Sequence, residues 1–145
     1  MATSRKEARE ALAALLEAAR AAENLAVKTV ADSKQTALEG ITPLITVLGR
    51  GSRRAPLTTR GNQAIFEFIV QVWVLRKGDN WTLAEAEDAL DEIEAGIATV
   101  YEDNSGTGNW VILEYADPTM IAEAKVAGVP YYVETIPTRV FLKGN

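Results

Sequence analysis

Residues 64–103 read AIFEFIVQVWVLRKGDNWTLAEAEDALDEIEAGIATVYED, and the reading of this stretch decides the fold. With period two, Phe66, Phe68, Val70, Val72 and Val74 fall on one side, and Ile65, Glu67, Ile69, Gln71 and Trp73 on the other. That is the alternation of a long strand with one buried face. Beyond a turn at Lys77, Gly78, Asp79 and Asn80, apolar residues recur at helical spacing: Leu83, Ala86, Leu90, Ile93, Ile97 and Val100. Thr82 and Glu85 have the spacing of a capping box, in which each side chain satisfies an orphan amide at a helix start. The stretch therefore predicts a strand that hands over directly to an amphipathic helix.

On the N-terminal side, Ser4 to Ala22 predicts a helix. Ser4 and Glu7 stand at capping-box spacing, and Leu12, Leu15, Leu16 and Ala19 form a shallow, alanine-rich stripe. A short strand is expected over Asn24–Val30, a polar loop over Asp32–Gly40, and a second strand over Pro43–Leu48, with Pro43 at its first residue or at a sheet edge. Gly49–Asn62 contains Arg50, Arg53, Arg54 and Arg60, three glycines and a proline, with almost no apolar residue. It predicts an exposed loop, long enough to suggest a segment ordered by a partner.

On the C-terminal side, Asn104–Asn109 (NSGTGN) is a turn and Trp110–Tyr115 a strand. Asp117, Pro118 and Gly128 suit the N-cap, first position and stop of a short helix, while Met120–Val126 equally suits an edge strand. Tyr131–Leu142 is the last strand, with Pro137 marking a bulge or an exposed edge. This order predicts a single α+β domain over 1–145, with an antiparallel or mixed sheet and two main helices packed on one face.

The chain has 145 residues, a net charge of −5, no cysteine and no histidine. Disulfides, thiolate or imidazole metal ligands and the commonest general base are thereby excluded. No apolar run approaches the roughly 20 residues that cross a bilayer, and Met1–Glu10 is too polar for a signal peptide, so a soluble, cytoplasmically made product is expected. The acidic balance argues against nonspecific nucleic-acid binding, which depends on neutralising phosphates. Charge is also segregated. No Lys or Arg occurs between Lys77 and Lys125, whereas four arginines crowd into residues 50–60.

Three constellations invite chemistry. Asp103, Ser105, Thr107, Gly108 and Glu114 occupy positions 1, 3, 5, 6 and 12 of a calcium loop, but a strand follows where an EF-hand needs a helix. A glycine-rich turn is the favoured reading. Gly49 and Gly51 beside Arg53 and Arg54 fall short of a phosphate-binding loop, lacking the Lys-Ser/Thr pair and the GxGxxG spacing. Glu85, Glu87, Asp88, Asp91, Glu92 and Glu94 line the second helix. Like charges at i, i+3 and i+4, such as Asp88 with Asp91 and Glu92, repel, and a basic partner would relieve them. The arginine segment of a second copy is a candidate for that partner, through a head-to-tail contact of the kind that closes rings.

The order of elements and several phrases resemble the small tail terminator or tail completion proteins of long-tailed bacteriophages. The similarity rests on the N-terminal helix, PLITVLGRGSRR (43–54), FEFIVQVWVLR (66–76), TLAEAEDALDEIEAGIATVYED (82–103), WVILEY (110–115) and GVPYYVE (128–134). The resemblance implies a noncatalytic virion protein that assembles as a ring, typically a hexamer, on the end of the tail tube. Such a ring stops polymerisation, meets the head-side connector and encloses a passage for DNA. No catalytic residue, cofactor or metal is implied. Arg50, Arg53, Arg54 and Arg60 on one side, and Glu85, Asp88, Asp91 and Glu92 on the other, are the expected contacts to a neighbouring subunit or the tube. Another neck or head-closure protein is the alternative. A small enzyme using Asp103 and Glu114 to bind a metal is the reading from a different class.

Overall fold

The computed structural model describes residues 4–32, 42–56, 62–75 and 83–142, without the side chains of 53–56, 62–64, 83 and 85. Two helices pack on a curled mixed sheet, the α+β arrangement expected. Helix α1 (Arg5–Ala21) starts where Ser4 accepts a hydrogen bond from the Glu7 amide at 3.1 Å, and it buries Ala8, Leu12, Ala13, Leu16 and Ala19. It ends with Glu23 in the left-handed region (φ 62). There the Asn24 amide reaches the Ala19 carbonyl and the Glu23 amide that of Arg20, closing the otherwise unpaired carbonyls of the last turn.

The strands are β1 (Thr29–Ala31), β2 (Leu44–Pro56), β3 (Asn62–Leu75), β4 (Trp110–Tyr115), β5 (Met120–Val126) and β6 (Val129–Leu142), with α2 (Leu83–Asn104) between β3 and β4. The sheet order is β1-β2-β3-β6-β4, with β5 also paired to β6. Only β1 runs parallel to its neighbour; the other pairings are antiparallel. Strand β6 is the hub, holding β3 on one side and β4 and β5 end to end on the other.

Alternation on β3 is as the sequence predicts. Phe66, Phe68, Val70, Val72 and Val74 are buried and share one core with Leu12 and Leu16 of α1, Leu90, Ile93 and Ile97 of α2, and Ile136 and Val140 of β6. The opposite face is half-buried at Ile69 and Trp73, although neither helix lies over it. Curling explains this. Arg50 of β2 meets Asp117, beyond β4, at 3.5 Å, although β3 and β6 stand between. A flat sheet would separate strands three places apart by about 14 Å. On the face away from the helices Leu44 and Tyr131 are buried beside Trp73, whose indole N–H donates to Thr46.

Three expectations are corrected and one open alternative is decided. The described residues of Gly49–Asn62 are strand, not loop: β2 continues to Pro56 and β3 begins at Asn62, so the two form an antiparallel arm paired from Gly51↔Glu67 to Pro56↔Asn62, while 57–61 lie outside the described residues. Main-chain pairing, not an apolar face, sustains this polar strand, and that is why its composition reads as loop. Arg50 is the extra residue of a bulge between Gly49 and Gly51. The first short strand is Thr29–Ala31, while Leu25 and Val27 are buried without being strand. Of the two readings of 117–128, the strand holds. Val126 pairs with Val129 across a two-residue turn in which Ala127 and Gly128 have φ of 53 and 80, the left-handed pair that closes tight hairpins. Pro137 marks neither a bulge nor an edge. Its carbonyl accepts from the Ala116 amide at 2.8 Å, so its nitrogen faces the gap between β4 and β5, where no ladder bond is lost. The capping box at Thr82 and Glu85 and the loop at 33–40 lie outside the described residues.

Gly96 shows how tightly α2 is seated. A Cβ there would stand 2.8 Å from Leu25 Cδ2 and 3.1 Å from the Asn24 carbonyl oxygen. Alanine would gain about 1 kcal/mol of helix propensity but overpack the site by roughly 1–3 kcal/mol. Because the buried Leu25 and a backbone oxygen have little room to retreat, Gly96→Ala should lower stability by about 1 kcal/mol net in urea unfolding. An increase in stability would show that the 24–27 segment is loosely packed.

Candidate functional site

The residues proposed for contacts occupy two separate places. Arg50, on the bulge, is tied to Asp117, but both side chains are about half exposed, and such a pair contributes roughly 0–1 kcal/mol. Arg53 and Arg54 stand further along the arm, in register with Ile65 and Ala64 of β3. Their side chains and all of Arg60 are outside the described residues. The arm thus carries a file of arginines beyond the bulge, and residues 49–62 include no acid.

Helix α2 is the opposite pole. Its inner stripe, Ala86, Leu90, Ile93, Ile97 and Val100, is buried, and the phase of that stripe turns Glu87, Asp88, Asp91 and Glu92 outward into solvent. Glu85 belongs to the same helix, with its side chain outside the described residues. Among the described residues no Lys or Arg pairs with Glu87, Asp88, Asp91 or Glu92. Carboxylates in the first turn gain from the positive end of the helix dipole, but Glu102 and Asp103 near the other end lose by it, and the last turn has no basic residue. Among the described residues the outer face of the helix has no counter-charge. Within one subunit the acidic face and the described arginines are not brought together.

The calcium-loop alignment is dismantled by its own side chains. Ser105 accepts from the Leu113 amide at 3.3 Å, Thr107 donates to the Asn104 carbonyl at 2.7 Å, and Glu114 is bound by Arg139 at 3.2 Å. Gly106 and Gly108, with φ of 80 and 54, make the turn from α2 into β4. Among the described residues no three His, Cys, Asp or Glu side chains gather as metal ligands.

Beneath α2 lies a polar group that the sequence reading did not single out. Tyr101 is buried and 2.9 Å from Thr138, which donates to the Ile136 carbonyl, leaving Tyr101 as donor to Thr138. Tyr115 packs edge-on against Tyr101 and donates to Glu94 at 2.6 Å. Burial first, and for Tyr115 the adjoining Glu94 carboxylate as well, pushes both phenols well above their usual range, so they remain hydroxyl donors. The signal for this group was strand phase: Glu134 and Thr138 alternate with Tyr132, Ile136 and Val140, so they had to face inward.

No family model matches this sequence, and no curated protein matches it. No helix among the described residues is long and apolar enough to cross a membrane.

Removing the Tyr101 hydroxyl deletes one donor but leaves Thr138 its bond to Ile136. Tyr101→Phe should therefore cost about 1–2 kcal/mol, measured as a shift in urea midpoint at unchanged m-value.

Proposed function

We propose that the chain is a noncatalytic virion assembly protein, a subunit that forms a ring, as a hexamer, on the end of a phage tail tube. There it stops the tube's polymerisation and joins the tail to the head-side connector, with DNA passing through the lumen without specific binding. The observation that carries this reading is the separation of charge onto two rigid elements. Residues 49–62 of the arm bear arginines and no acid, and a well-seated helix bears carboxylates and, among the described residues, no cation pairing with its outer face. Among the described residues the acidic face finds no cation in its own subunit, and a head-to-tail contact with the arginines of a second copy would satisfy it. The resemblance to tail terminator proteins supports the same assembly. Another connector of the neck region would present the same poles, and capping of purified tail tubes separates the two.

The test is mass in solution. Arg53→Glu with Arg54→Glu should reduce the assembly to smaller species by light scattering after size exclusion, and adding Asp88→Arg with Glu92→Arg should restore it. An unchanged mass in the double-arginine variant would sink the proposed contact. Because the contact joins charges near water, the wild-type assembly should also weaken as salt is raised from about 0.05 to about 0.5 M.

A further inference from the structure

Glu134 is the one charged residue type in the core of the described chain. It is 4% exposed, sits opposite Val72 on the face that carries the helices, and its Oε1 has no hydrogen-bond partner. A buried carboxylate without a cation is among the costliest groups a fold can hold, and it normally takes up a proton instead. The groups around it sharpen the problem. Helix α2 presents Glu94 and Asp91, whose charges oppose ionisation of Glu134. Strand β4 presents Tyr115, already committed as donor to Glu94. Thr119, between β4 and β5, is a hydrogen-bond partner, and Glu123 lies on the same face of β5, opposite Tyr132. From β3 comes only Val72. None of these groups is a cation.

We propose that Glu134 is a proton-operated latch for α2: protonated, it lets the helix lie on the sheet, and ionised, it loosens the helix segment that carries Asp91 and Glu94. Burial above all holds its carboxyl above the usual carboxylate range; the Thr119 hydrogen bond opposes it, and the Glu94 and Asp91 carboxylates of α2 each add a smaller upward push. The sign follows. A carboxyl raised in the folded state leaves stability intact below its unfolded value and removes it as pH rises through the folded value. The fold should therefore weaken toward alkaline pH through this residue, opposite to the behaviour of salt-bridged carboxylates. Glu94 is the coupling partner because it faces Glu134 from α2 while held by Tyr115. The helix that moves is the one bearing the acidic outer face, so the latch acts on that surface independently of what binds there.

The test uses the full chain. Urea midpoints of the wild type should fall as pH is raised from about 5 to about 8. Glu134→Gln, which keeps the shape and supplies an amide donor toward Glu94, should have a higher midpoint at the alkaline end and lose most of that fall. Glu94→Gln should reduce the fall while leaving it detectable. Hydrogen exchange, corrected for intrinsic rate, should show amides of 90–97 losing protection before those of 70–74 in the wild type, but not in Glu134→Gln. An identical pH dependence in wild type and Glu134→Gln, or equal loss of protection in both segments, would overturn the latch.

Discussion

The fold depends on the antiparallel pairing of β3 with β6, continuous from Phe66↔Val140 to Leu75↔Tyr131. That register places Val70 beside Ile136 and Phe66 beside Val140 on the helix side, and the fully buried Phe68, Val70 and Val72 each contribute roughly 1.5–3 kcal/mol by leaving water. A slip of one residue would turn Glu67 and Gln71 inward and cannot be tolerated. The same constraint explains the awkward position of Glu134. With Tyr132, Ile136 and Val140 required inside, a carboxylate in phase with them goes inside as well, whatever faces it. Its burial is imposed by register and answered locally, by Thr119 and by a proton.

Strand β6 also sets the outline of the rest. Since it pairs with β4 and β5 along the same edge, the strand needs a place where the ladder changes partner, and Pro137 occupies it. On the other side β3 carries β2 with it as the arm, where Arg5 at the start of α1 donates to Ser52. The bulge at Arg50 lies where the ladder passes from apolar β2 (Leu44–Leu48) to the polar part, and it shifts the phase of every residue beyond it. Arg50 itself reaches Asp117, and Glu114 pairs with Arg139 across β4 and β6.

Much of this was legible. Period two over Phe66–Val74, period 3.6 over Leu83–Val100 and Ser4 at its capping distance from Glu7 all specify elements by short-range rules, and the elements formed where those rules placed them. The arm was not legible, because a strand sustained by main-chain pairing alone leaves no hydrophobic signature, and glycine with arginine imitates a loop. Met120–Val126 stood between helix and strand because alternating alanines and a glycine stop suit both; the turn at Ala127 and Gly128 and pairing with β6 decided it. Of the charged residues, the outward phase of Asp88, Asp91 and Glu92 could be read from the stripe beneath them. The Arg50–Asp117 and Glu94–Tyr115 contacts join residues far apart in sequence and depend on the curl of the sheet, which no local pattern encodes.

The curl also bears on how the poles would meet in the proposed assembly. Because Arg50 already has Asp117, a new acidic surface would have to compete with that pair for it. Contacts between solvated charges contribute little each, and they govern rate and partner choice more than affinity. A ring held in this way gains strength from closure: each subunit uses both poles, so opening the ring at one contact leaves its other neighbour bound, and the separated ends remain at high effective concentration. Weak pairs repeated around a closed circle are then sufficient, provided that arm and helix are stiff. The antiparallel ladder and the close seating of α2 at Gly96 supply that stiffness. The latch at Glu134 would act on it directly, since a loosened α2 would blur the position of its carboxylates and with it the geometry on which closure depends.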